Sequence, residues 1–322
     1  MNRIEPEPIR ILSFDVGIRN LAFSIMHYDS FLLPTIVDWQ IIDVLMPSTS
    51  TSTYNTEYLE YIDLICSLDI IGSSDTSSSK PELLELCAKW IPQFDANVKQ
   101  TKKELHSKLK SVLTTRQKQN INHKHVSFIE AITSKTLLSL QHHFPTSVVM
   151  TLDYIAIENQ PAKLNSTMKS IQNVIYNYFI HHKVQIGATN NRPYISLIGA
   201  CNKINIVPKY IKQCNDLTVT QLVSDIHTLT TELTTCNTAF KANKSTLTAK
   251  ECEIAKRQIY CLTKQLGIMH VDFLLSTYID PAAKWKQLFD NTKKKDDLAD
   301  TLLQNMHVMG QHALLKPSAK KK

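Results

Sequence analysis

The chain has 322 residues, 43% hydrophobic and 20% charged, which is enough to bury a core and is the balance of a globular protein rather than a disordered one. Its glycines stand apart at Gly17, Gly72, Gly187, Gly199, Gly267 and Gly310, so dinucleotide-binding fingerprints, P-loop phosphate cradles and G-x-S-x-G nucleophile elbows are all excluded. A net charge of +7 permits a polyanionic partner without demanding one.

In chain order, Ile9 to Ile25 reads as two strands joined by a tight turn at Gly17 to Asn20. Thr35 to Leu45 is a third β-rich run, completing an antiparallel meander. Pro47 to Asn55 and Ser73 to Ser79 are Ser/Thr tracts with little to bury, so they read as loops or as parts of an inserted, mobile segment. Tyr58 to Leu68, Pro81 to Trp90, Lys99 to Lys110 and Phe128 to His143 predict helices. Asp153 to Glu158 is a short apolar strand that ends in a carboxylate and is stopped by Asn159, Gln160 and Pro161. Thr167 to Phe179 has helical spacing, Tyr194 to Ile198 is a fifth strand, and residues 218 to 266 predict a polar helical hairpin. Lys295 to Met309 predicts a helix closed by Gly310, with a basic tail over 311–322. The order implies an α/β fold with a mixed sheet flanked by helices, in one domain spanning 1–322. Residues of about 47–100 and 210–250 would be insertions into it.

The seven cysteines are odd in number and form no C-x-x-C pair, which fits reduced thiols in an intracellular compartment. The apolar runs stay short of a membrane span. Met1 to Arg10 carries Glu5 and Glu7 and no apolar region, so neither a secretory nor a mitochondrial transit signal is expected.

Chemistry is expected where carboxylates interrupt apolar elements. Asp15 sits inside the first strand on the face opposite Phe14 and Val16, and a half-buried aspartate needs a donor or a cation. Gly17 leaves room for another backbone or a phosphate. Glu158 ends the Tyr154–Ile157 strand, the end where ligands meet a sheet. On the last helix, Asp297 and Asp300 are adjacent at i, i+3, where like charges repel. Asp296 is close to both, and Lys293, Lys294 and Lys295 precede the group against the sense of the helix dipole. If Asp15, Glu158, Asp297 and Asp300 converge, only divalent cations keep them all ionised. Oxygen ligands without a Cys/His set favour Mg²⁺ or Mn²⁺, and two ions about 3.5–4 Å apart would serve phosphodiester hydrolysis.

Three stretches carry a resemblance: Ile11 to Phe23 around Asp15-Val16-Gly17, Ile155 to Lys169 around Glu158-Asn159-Gln160-Pro161, and Lys294 to Leu303 around Asp297 and Asp300. They resemble the three acidic motifs of Holliday junction resolvases, in the poxvirus and large-DNA-virus branch of the RuvC-like, RNase H-fold superfamily. The resemblance implies five strands with helices on both sides. It also implies a homodimeric endonuclease, dependent on two Mg²⁺ or Mn²⁺ ions, that places paired nicks in four-way junction DNA. A viral member would work in the cytoplasm or virus factory. Asp15, Glu158, Asp297 and Asp300 match the family's metal-binding acids. Its D-x-x-D spacing selects Asp297 over Asp296, and Lys203 matches the lysine that follows the fifth strand. Other RNase H-fold nucleases, acting on RNA–DNA hybrids or flaps, and a catalytically silent DNA-binding protein are the alternatives. The histidine pairs His123/His125, His142/His143 and His181/His182 lack zinc-site spacing and read as surface residues. The lysines from Lys99 to Lys118 offer a solvated helix face or a track for the DNA backbone.

Overall fold

The computed structural model describes residues 8–29, 33–45, 56–72, 79–96, 99–119, 127–161, 165–187, 192–199, 220–244, 246–279 and 283–315. The chain divides into two compact units, one formed by residues 1–41, 146–160 and 179–322 and the other by 42–145 and 161–178.

The first unit holds a five-stranded mixed sheet in the order β3-β2-β1-β4-β5: β1 Ile9–Val16, β2 Asn20–Tyr28, β3 Pro34–Asp43, β4 Tyr154–Glu158 and β5 Tyr194–Ile198. β1 runs antiparallel to β2, with Ser13 opposite Ser24 and Asp15 opposite Ala22. β4 is parallel to β1 and β5 parallel to β4. This is the expected α/β architecture, a mixed five-stranded sheet flanked by helices. A Cβ on Gly17 would stand 2.4 Å from the Asn20 carbonyl oxygen, so only glycine fits the β1–β2 turn. The close neighbour at Gly17 is therefore backbone.

Alternation gives β1 two different faces. Leu12, Phe14 and Val16 bury into one, where Phe14 lies 5.7 Å from the ring of Phe179 on α6 (Ser166–Gln185). Ile9, Ile11, Ser13 and Asp15 share the other. That face is covered by α10 (Lys295–Leu315), which packs on β1 and β2 and against α8 (Ala249–Leu274). α7 (Thr220–Asn243) pairs with α8 as the hairpin expected near 218–266, and α9 (Lys284–Asn291) precedes α10. α10 does not stop at Gly310 but runs on to Leu315, because a glycine within a helix costs only about 1 kcal/mol, too little by itself to end one. The basic tail therefore begins later than expected.

The second unit is helical. α1 (Thr56–Gly72), α2 (Lys80–Trp90), α3 (Lys102–Gln119) and α4 (Phe128–His143) pack together. Helices thus occupy much of the expected insertion at 47–100. Ser79 closes a capping box with Glu82 at the start of α2. α3 buries Leu105, Leu109 and Leu113 while Lys103, Lys108, Lys110 and Arg116 stay exposed, the amphipathic pattern of a helix covering a core. A short turn of helix, α5 (Thr146–Val149), leads back to β4. Among the described residues, no helix is long and apolar enough to cross a membrane.

Candidate functional site

Three elements of the first unit bring the expected carboxylates to one end of the sheet. Asp15 and Glu158 follow Phe14 and Ile157, which are paired across the parallel β1–β4 ladder, so the two acids are neighbours about 4.8 Å apart along the sheet and point to the same face. Gln160 reinforces this end, its side-chain amide donating to the Val16 carbonyl at 3.4 Å.

What fixes the third element is a row of buried polar groups on an otherwise apolar face. Ser13 and Ser24 are fully buried, 2.9 Å apart. Ser13 donates to the Thr301 carbonyl at 2.7 Å, and the Asn305 amide donates to Ser24 Oγ at 2.6 Å and to the Ser24 carbonyl at 3.0 Å. From β3, the Trp39 indole donates to the Leu298 carbonyl and to Thr301 Oγ1, each at 3.1 Å. Leaving any of these unpaired would cost about 1–3 kcal/mol, so they select one register of α10 on the sheet. In that register the first turn of α10 lies beyond Ser13, beside Asp15.

The electrostatics follow from that placement. Burial, then repulsion from Asp15 and Asp296, push the Asp297 carboxyl up to about 6, against the weaker pull of Lys294 and Lys264. Asp15 and Asp297, distant in sequence, therefore share one field. Lys264 of α8 is the cation among them. Its Nζ lies 2.9 Å from Asp300 Oδ2 and 3.4 Å from Asp296 Oδ2. Burial works against the ammonium, but Asp300, Asp15 and Asp296 outweigh it and raise its pKa strongly. The lysine run before the helix is partly occupied elsewhere, since Lys295 Nζ lies 3.4 Å from Asp290 Oδ1.

Asp15, Asp297 and Asp300 are thus brought together, with Glu158 next to Asp15 by strand register. Asp296 belongs to the same group and contacts Lys264. Lys203 lies outside the described residues. Sequence reasoning missed Lys264, whose setting among other charged residues on a long helix gives no signal. It also missed His270, one turn and a half further along α8, which is 1% exposed with neither ring nitrogen hydrogen-bonded among the described residues. The surface reading of the other histidines holds for the exposed His142 and His181, while His182 is half-buried, 3.3 Å from Thr146 Oγ1.

The donor type, carboxylate oxygen, is the one a hard divalent cation takes, and the Asp297 carboxyl is raised by burial and then by its neighbours Asp15 and Asp296. Among the described residues, no group of three or more His, Cys, Asp or Glu side chains is gathered closely enough to hold an ion. What rests against Asp296 and Asp300 is an ammonium.

No protein-family profile matches the chain. An uncharacterized protein of Acanthamoeba polyphaga mimivirus is 23% identical over 350 aligned residues, covering 94% of this chain and 74% of that protein. Among solved structures, the yeast mitochondrial Holliday junction resolvase Ydc2 is similar over 98% of this chain and 85% of its own, with a TM-score of 0.42 and 12% identity.

Proposed function

We propose that this protein is a metal-dependent endonuclease that resolves four-way DNA junctions. The observation that carries the reading is the gathering of carboxylates around Asp297: burial first, then Asp15 from β1 and Asp296 from its own helix, push its carboxyl up to about 6, and half-buried acids that repel one another call for added positive charge. Asp15, Glu158, Asp297 and Asp300 would hold two Mg²⁺ or Mn²⁺ ions. When bound, such ions activate water and stabilise the leaving oxygen of a phosphodiester. The chain's own residues do the rest. The Ser13–Ser24–Asn305 bonds hold α10 in register, so that Asp297 and Asp300 are presented to Asp15. Gln160 keeps the ends of β1 and β4 together, which fixes Asp15 beside Glu158. Lys203 would contact the scissile phosphate, and the basic surface would attract the DNA backbone. A two-fold homodimer suits a junction with two equivalent strands to cut.

The test is a synthetic four-way junction incubated with Mg²⁺ and either the wild type or Asp297→Asn. Paired, symmetric nicks are expected from the wild type, with a rate at least about a hundredfold lower for the variant. Equal cleavage of an RNA–DNA hybrid would move the assignment to another nuclease of this fold. A junction bound but left intact by the wild type would identify a silent DNA-binding protein.

A further inference from the structure

The acids at the sheet end already have a cation, and it comes from a helix that carries none of them. α8 and α10 run side by side in the same direction: Lys264 meets Asp296 and Asp300, and three residues on, a Cβ at Gly267 would meet Leu303 at 3.7 Å. That contact is ordinary van der Waals packing, so residue 267 faces α10 on the same side of α8 as Lys264. Its Nζ is 2.9 Å from Asp300 and 3.4 Å from Asp296, with the side chain 23% exposed.

An ammonium offers three donors and no lone pair, so it cannot join a metal's coordination sphere. It repels any cation that approaches the oxygens it holds. We propose that Lys264 is a built-in counter-ion that competes with divalent cations for Asp300 and Asp296, so that loading the site requires its ammonium to withdraw. The inference rests on the metal-dependent reading above. A resting place for the withdrawn ammonium is at hand. The Tyr260 ring lies one turn earlier on α8, its centroid 5.8 Å from Nζ, within cation–π range, and Tyr260 is largely exposed. Four flexible carbons make Lys suited to such a swing, where the rigid fork of Arg is not. Lys264 is on this account a positioning residue that sets when the acids are free to bind metal.

The test measures Mn²⁺ binding by titration calorimetry on the full chain without DNA, together with melting in chelator and in Mn²⁺. Lys264→Met removes the ammonium and keeps the stem. Lys264→Gln keeps a donor for Asp300 but no charge, and it guards against a folding defect in the first variant. Both should bind Mn²⁺ about tenfold tighter than the wild type. Both should melt lower in chelator and regain the loss in Mn²⁺. Lys264→Arg, which keeps the charge, should bind no tighter than the wild type. Wild-type binding with equal or weaker affinity in the Met and Gln variants would overturn the competition while leaving the metal reading standing. Absence of Mn²⁺ binding by all four proteins would overturn both.

Discussion

In the helical unit Asp63 is held by two lysines: Lys89 Nζ lies 2.5 Å from its Oδ2 and Lys135 Nζ 2.7 Å from its Oδ1, with Asp63 and Lys135 almost fully buried. Lys135 also donates to the Leu45 carbonyl at 3.0 Å. At the sheet end the proportion is inverted, and two lysines, Lys264 and Lys294, stand among Asp15, Asp296, Asp297 and Asp300. Both assemblies are aspartates and lysines at hydrogen-bond distance, yet they are built for different ends. An aspartate whose charge and lone pairs are satisfied within the fold holds helices together, because a buried charge is tolerated only when paired and bonded. A cluster left with excess negative charge is maintained at some cost to stability, and that cost is what a binding site for cations looks like.

The comparison breaks most sharply on stability. Asp63→Asn should destabilise the protein by about 3–5 kcal/mol, since it leaves the buried Lys135 ammonium without its counter-charge. Asp297→Asn should do the reverse in chelator, raising stability by about 1 kcal/mol by removing repulsion from Asp15 and Asp296. Urea unfolding of both variants reads the two signs directly. If both variants lose stability alike, the sheet-end acids are an ordinary structural network and the contrast fails.

A second prediction concerns His270, a buried group in neither assembly. Burial pushes its pKa down to about 4, below the value of about 6.5 in the unfolded chain. Above pH 6.5 the residue is neutral in both states and contributes no pH dependence. As pH falls from 6.5 toward 4 the unfolded chain takes up a proton that the folded one refuses, so stability declines by roughly 3 kcal/mol across that window. His270→Leu should flatten this part of the stability–pH curve. An unchanged acid limb in the variant would show that another group carries it.

How much of this was legible in the sequence depends on the range of the interaction. The strand at Tyr194–Ile198 and the helix at Phe128–His143 match their expected bounds, and β4 begins at Tyr154, one residue after the expected Asp153, because proline stops and Ser127 as an N-cap act over a few residues. Asp15 and Glu158 stand out in the sequence because each interrupts or ends an apolar strand, and Asp297 and Asp300 because like charges sit at i, i+3. The extension of α10 past Gly310 was not legible, since the local cost of one glycine, about 1 kcal/mol, does not by itself end a helix. Lys264 was invisible for a related reason: among Lys250, Lys256 and Arg257 it is one more basic residue on a long helix. Only the parallel packing of α8 on α10 turns it toward the acids. Ser13 and Ser24, polar residues within two apolar strands, pin the acid-bearing helix in register only once the strands and α10 are assembled.

The smallest effect is expected one turn behind the acids. Gln304 follows Asp300 by four residues and is fully buried, and among the described residues neither its amide nitrogen nor its carbonyl oxygen has a hydrogen-bond partner. Asn305 beside it shows the alternative, since its amide nitrogen reaches Ser13 and Ser24. A buried amide without partners costs free energy that an apolar side chain of similar volume would not. Gln304→Leu should therefore stabilise the protein by about 1 kcal/mol in chelator, whereas Asn305→Leu should destabilise it by breaking the contacts that set the register of α10. If Gln304→Leu is also destabilising, the amide is satisfied by a bridging group, and the buried polar layer extends from the two serines to the base of the carboxylate site.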